Sequence, residues 1–267
     1  MEQENILEIK DLNFGGQDKN TDFNLKVRKN SIHSILFKND QLKKQLLNFL
    51  IGEKVEAEAE LIYQGIELES ADLNALYKKE IYLINQYSAV NPEKDALSIF
   101  KFNQKGDKEN KSTVFPEMTI AENIYFGREP LKKFLFFKSI DNQKMNEKTS
   151  ELLKLLDVEL YPTQKMIKLS PLEKQLVEML KALSYQVDIL LIDQAVIELV
   201  DKEKQVFFDF MQKLKQKEIT IIYFTKEIEE VFVVSDFVSI LKEGNNKGEM
   251  KVSELEYNEL ALLLMGR

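Results

Sequence analysis

The sequence predicts an α/β fold organised around a mixed, mostly parallel sheet, and three observations predict it. Strand-like and helix-like segments alternate over much of the chain, the pattern of a parallel sheet covered on both faces. Continuously apolar runs such as IHSILF (32–37), DILLID (188–193) and ITIIYF (219–224) each lead into a stretch with helical periodicity. The chain has 267 residues, of which 44% are apolar and 31% charged, enough for a large buried core with a solvated surface.

The first elements differ in kind from the later ones. Residues 5–12 (NILEIKDL) and 22–28 (DFNLKVR) alternate apolar with polar positions, as half-buried antiparallel strands do. The strand at 32–37 runs through KNDQ into a helix at 42–51. A short strand pair follows at 59–68 (AELIYQGIEL), turning at Gly65. A helix is expected at 71–79 and a buried strand at 81–85 (IYLIN). The segment 88–114 contains KFNQKGDKENKS, polar and aperiodic, and reads as a loop.

From Thr119 to Leu156 the pattern reads as helical, with Ser139 or Asp141 as a cap for the helix carrying LLKLL. A helix at 171–184 leads into the strand at 188–193. Helix 201–216, strand 219–224, helix 226–234 and strand 236–241 follow, and an amphipathic helix is expected at 252–265. In a parallel sheet a ligand sits beyond the C-terminal strand ends, so the loops after Phe37, Asp193 and Phe224 are expected to line one site.

Composition removes several chemistries. There is no cysteine, so disulfides and thiolates are excluded. The one histidine, His33, has no nucleophile elbow around it and is too few for an imidazole-rich zinc site. A net charge of −8 argues against a nucleic-acid partner. The apolar runs ILLI (189–192) and FLFF (134–137) are far shorter than the roughly 20 residues of a membrane helix, and no direct membrane insertion is expected. MEQENILEIK is too polar for a secretory signal, and a cytoplasmic location follows as an expectation.

Five segments then occur in a telling order: FNLKVRKNSIHSIL, FPEMTIAENIYFGREP, LSPLEKQLVEMLKALSYQVDILLID, TIIYFTKEIEEVFVVSDFVSILKEG and VSELEYNELALLLMGR. Together they resemble the first cassette of the tandem ATP-binding cassette (ABC) proteins of ribose- and galactose-type importers, and the resemblance runs nearly end to end. It implies an ABC-type P-loop NTPase fold: a RecA-like core, an antiparallel β-subdomain and a helical subdomain near 117–168, all within one nucleotide-binding domain over 1–267. It implies ATP and Mg²⁺ as cofactors, a second cassette, fused or separate, and a transmembrane permease as partners. A peripheral place on the inner face of the cell membrane follows from that permease.

Residue by residue, the resemblance identifies departures. The phosphate loop falls on FKNDQLKK (37–44), with Phe37, Asp40 and Leu42 at the family's glycine positions. Side chains there obstruct amides that must turn inward around a phosphate. Lys43 stands at the phosphate-binding lysine, Lys44 at the magnesium hydroxyl, and Asn39 lies between; a strand-to-helix turn with a solvated lysine pair is the alternative for this stretch. Lys44 offers a metal no lone pair. Asp193 matches the metal-holding acid, with a loop-capping carboxylate as the alternative.

Gln194 takes the catalytic glutamate's place; an amide holds a water but accepts no proton. Lys226 replaces the switch histidine, or is a solvated lysine at a helix start. In LSPLE, Ser170 remains while Leu172 replaces the signature glycine, and Ser170 reads equally as a helix cap. Gln86 matches the family's glutamine that links metal to permease, after which roughly 24 extra residues intervene, a tolerated loop or, as the alternative, a new docking element. Phe14 matches the adenine-stacking aromatic, or packs in the core.

The departures concentrate on one reaction. Two losses alone, each costing on the order of 2–4 kcal/mol of transition-state stabilisation, lower hydrolysis by many powers of ten. The same substitutions weigh against ATP and Mg²⁺ binding. Three functions follow: a non-hydrolysing cassette acting as a structural or regulatory half of a sugar- or nucleoside-type importer; a regulatory or scaffolding pseudo-ATPase outside transport; and an unusual ATPase that uses Lys43, Asp193 and Lys226.

Overall fold

The computed structural model describes residues 4–14, 23–53, 55–68, 80–85, 114–134, 137–197, 199–242 and 248–265. The chain divides into two compact units: Met1–Leu83, Val187–Gln194 and Met211–Arg267 form the first, and Ile84–Gln186 with Ala195–Phe210 the second. The helix expected at 71–79, residues 88–113 of the expected loop and Gln86 lie outside the described residues.

In the first unit, β1 (Asn5–Phe14), β2 (Phe23–Arg28), β4 (Ala57–Tyr63) and β5 (Ile66–Leu68) form an antiparallel sheet in the order β2-β1-β4-β5. Its alternation is one-sided: Phe23, Leu25 and Val27 are fully buried while Asn24, Lys26 and Arg28 face outward. The β4–β5 turn needs two successive left-handed residues, supplied by Gln64 (φ 48°) and Gly65 (φ 77°), as the expected turn at Gly65 requires.

A six-stranded sheet has the order β12-β11-β3-β10-β9-β6, from β3 (Ile32–Phe37), β6 (Ile81–Asn85), β9 (Ile189–Asp193), β10 (Thr220–Thr225), β11 (Phe237–Leu241) and β12 (Met250–Lys251). β3, β9, β10 and β11 are parallel, and β12 closes the edge antiparallel. Every residue of β3, β9, β10 and β11 is buried, which is why these strands read as unbroken apolar runs. Helix α1 (Asp40–Leu50) packs Leu42, Leu46, Leu47 and Leu50 into a core shared with both sheets. A smaller cluster joins Leu36, Val231, Val238, Leu260 and Leu263 through α6 (Ile228–Val234) and α7 (Tyr257–Met265).

The second unit holds α2 (Ile120–Tyr125), α3 (Asn142–Leu155) and α4 (Pro171–Tyr185), with the first part of α5 (Asp201–Gln216). Buried Asn123 ties it together: its Oδ1 accepts from the Phe115 amide at 2.7 Å, and its Nδ2 donates to the carbonyls of Phe115 and Thr119. Arg128 donates to the Ser184 carbonyl and lies 3.5 Å above the Tyr185 ring.

Two sequence expectations are corrected. The helical reading of Thr119–Leu156 is broken by a hairpin, β7 (Leu131–Phe134) and β8 (Phe137–Ile140). Gly127 (φ 74°) and Pro130 end the helical course before it, and Asp141, not Ser139, caps α3 by accepting from the Lys144 amide. The helix expected over 252–265 begins with a 3₁₀ turn at Val252–Glu254 and becomes α-helical only at Tyr257. No helix among the described residues is long and apolar enough to cross a membrane.

Candidate functional site: the strand ends after β3, β9 and β10

β9, β10 and β3 are adjacent and parallel, so their C-terminal ends come together. Phe37 ends β3, Asp193 ends β9 and Lys226 follows β10 directly. The loops named from the sequence do meet at one place, and oppositely charged side chains there pair with one another.

The turn from β3 into α1 is a capped helix start. Asn39 is extended (φ −91°, ψ 108°), and its Oδ1 accepts from the amides of Gln41 at 2.9 Å and Leu42 at 3.1 Å. The Lys43 amide donates to the Asn39 carbonyl as the first helical bond. Two of the amides that a helix start ordinarily presents to an anion, those of Gln41 and Leu42, are thus bonded within the chain. Asp40 adds a carboxylate to the first turn, favoured there by the helix dipole.

Lys43 reaches from α1 to the end of β9, where its Nζ donates to Asp193 Oδ2 at 2.8 Å. Both side chains are largely shielded, 13% and 11% exposed. Lys226 crosses to Asp40 at 2.7 Å in a wetter pair, 39% and 65% exposed. The Phe37 ring underlies both: Lys43 Nζ lies 5.8 Å and Lys226 Nζ 5.5 Å from its centroid. Two cations and two carboxylates therefore neutralise one another around one buried aromatic ring.

The Lys226 turn is held from below. Thr225 Oγ1 donates to Glu230 Oε2 at 2.6 Å and accepts from the Glu227 amide, while Tyr223 donates to the same Glu230 oxygen at 2.6 Å. Burial first, and then the Glu230 charge, push the Tyr223 hydroxyl well above its ordinary pKa, so it stays a donor. Gln194 sits beside Asp193 in a left-handed conformation (φ 50°), its amide donating to the Phe224 carbonyl at 3.3 Å.

The remaining predicted residues lie elsewhere. Lys44 is exposed on α1. Phe14 ends β1 and is buried in the core of the first unit. Ser170 belongs to the second unit, where it caps α4 in a reciprocal box: its Oγ accepts from the Glu173 amide, and Glu173 Oε2 accepts from the Ser170 amide. Reading the sequence missed the Asn39 cap and the Lys226–Asp40 pair. The first had a signal in the Asn-Asp dipeptide opening α1, whereas the second joins residues 186 apart and had none.

Comparison with known proteins agrees with this architecture. The ABC transporter family model matches residues 20–196, and the chain belongs to that family of ATP-binding cassette proteins. It is 31% identical over 91% of its length to a Halalkalibacterium halodurans protein assigned by name to ribose/galactose/methyl galactoside import as an ATP-binding protein. It is 28% identical over 98% of its length to the galactose/methyl galactoside import ATP-binding protein MglA of Clostridium perfringens. The chain spans only 42% and 46% of those relatives.

Among solved structures, cbiO1 from Clostridium perfringens, part of the ABC transporter complex cbiONQ, superposes with a TM-score of 0.71 at 16% identity, covering 98% of this chain and 93% of that one. The ADP conformation of MJ1267, an ATP-binding cassette of an ABC transporter, gives 0.69 at 20% identity, covering 98% and 95%. These likenesses establish the cassette fold.

Proposed function

We propose that the chain is a single nucleotide-binding-type domain that serves as a non-hydrolysing cassette, the structural or regulatory half of a sugar- or nucleoside-type importer. It would work on the cytoplasmic side of the membrane with a permease and with a second, competent cassette. The names of the relatives support the transport setting. One observation carries the inactive reading: the Gln41 and Leu42 amides of α1 are bonded to the Asn39 side chain, while Lys43, the cation that would receive a phosphate, is held on Asp193.

Mg·ATP does not fit this set of residues. A triphosphate would have to displace the Asn39 cap, approach the Asp40 carboxylate and pull Lys43 off Asp193. A metal would compete with the Lys43 ammonium for the same Asp193 oxygen. Gln194 supplies no base, since a carboxamide does not take a proton near neutral pH.

The test is thermal unfolding of the purified chain with millimolar ATP, with and without Mg²⁺. A ligand bound only to the native state at a hundred times its Kd stabilises by about 2.7 kcal/mol, an easily read shift. No shift is expected in either condition. A Mg²⁺-dependent rise in Tm with measurable phosphate release would refute the reading.

A further inference from the structure

The described side chains of the β7–β8 hairpin are exposed on both faces, and its composition specifies what it touches. Cross-strand partners share a face, so Leu131, Ile140, Lys133 and Lys138 lie on one side, and Lys132, Ser139 and Phe137 on the other. All seven are exposed; Phe137 is 76%, Leu131 57% and Ile140 47% accessible. A two-stranded ribbon with neither face packed is marginal in water, and apolar side chains left out on it are a cost with no return inside the fold.

The charge is as particular as the exposure. Lys133 and Lys138 stand directly opposite each other, a repulsive arrangement for an isolated hairpin. Residues 131–140 contain three lysines and no acid, in a chain whose net charge is −8. The flanking acids, Asp141 and Glu129, accept from the Lys144 and Gly127 amides and keep their charge, so the three lysines leave the stretch 129–141 with a small positive excess. A phenylalanine and two aliphatic side chains among three cations, standing clear of the fold, match an interface that is both anionic and able to take up apolar groups.

We propose that this hairpin is a membrane-surface contact, entering the anionic headgroups of a bilayer end-on, with Phe137 at its 134–137 end reaching the headgroup–acyl boundary and the lysines of both faces among the headgroups. Lysines near an anionic surface each contribute roughly fivefold to partitioning, so the three together supply on the order of a hundredfold. The contact is interfacial and much shallower than a membrane span. It adds a surface contact to the expectation of no direct membrane insertion, and it does not depend on whether the cassette uses nucleotide.

The experiment is flotation of the full chain with phosphatidylglycerol-containing vesicles and with phosphatidylcholine vesicles alone. Binding is expected only to the anionic vesicles, weakening with added salt. The triple variant Lys132→Gln, Lys133→Gln, Lys138→Gln should lower it by on the order of a hundredfold. Phe137→Ser should lower it several-fold with the lysines intact. Every substituted side chain is exposed, so unchanged thermal unfolding of the variants is the expected control. No binding to anionic vesicles, equal binding to both kinds, or binding indifferent to the lysines would overturn the proposal. Lysine-dependent binding untouched by Phe137→Ser would also overturn it, leaving electrostatic adsorption to headgroups with no side chain at the acyl boundary.

Discussion

Removing Lys43 tests whether the pair with Asp193 is a structural substitute for a ligand. At an effective dielectric of about 20, unit charges at the observed 2.8 Å attract by about 6 kcal/mol, most of it offset by desolvation of both groups. The pair is well shielded, so a net coupling of about 1–3 kcal/mol remains. Lys43→Met leaves the Asp193 carboxylate buried without its cation and should destabilise by about 2–3 kcal/mol. Asp193→Asn leaves a lysine whose long stem can carry its charge outward, and should cost less, about 1–2 kcal/mol. The double variant should recover part of the loss. Urea denaturation measures all four chains; with no tryptophan present, circular dichroism and tyrosine fluorescence should give coincident transitions. Effects that add to within about 0.5 kcal/mol would mean that the two side chains do not support each other, and the argument from their pairing would fail.

Two further predictions concern stability. His33 is fully buried, its Nε2 on Ser239 Oγ at 3.0 Å; burial, helped by the Arg28 charge, lowers its pKa from 6.5 to about 3. The unfolded chain therefore binds a proton that the folded chain refuses, so this contribution is whole above pH 6.5 and is lost progressively down to about pH 3, at up to about 1.4 kcal/mol per pH unit. His33→Asn should flatten the fall relative to the parent in unfolding measured from pH 7 to pH 4, and an unchanged slope would count against it. Asn39→Ala should cost about 1 kcal/mol in the same urea assay, while Asn39→Asp, which also caps, should cost much less; equal losses would remove the cap from the account.

Much of the fold could be read from the sequence because its strong elements obey one rule each. The predicted bounds of β3 and α5 coincide with those observed, since a fully buried strand and a long amphipathic helix carry unambiguous patterns. The β7–β8 hairpin could not be read this way. Its strands are four residues long, and its exposed side chains leave no alternation between core and solvent. Leucine and lysine there are good helix formers, so propensity pointed the wrong way. At the site, strand order placed Phe37, Lys43, Asp193 and Lys226 together, because parallel strands align their C-terminal ends. Which cation meets which carboxylate was not legible, since that depends on side-chain reach across adjacent loops.

That pairing changes how the departures from the family pattern are understood. Along the sequence, the resemblance implies glycine positions at Phe37 and Asp40 and a switch position at Lys226, three departures with no evident connection. In the structure they are one cluster: Asp40 receives the Lys226 ammonium, and the Phe37 ring lies against Lys226 and Lys43 alike. Any one of these substitutions alone would leave the others worse placed. Asp40 without Lys226 would lose its cation, and Lys226 without Asp40 would crowd Lys43 at the same ring with one fewer counter-charge. The exposed Lys226–Asp40 pair adds at most about 1 kcal/mol to stability. The cluster's effect is therefore positional: it fixes two cations on internal acids where, on the proposed reading, a triphosphate would otherwise sit.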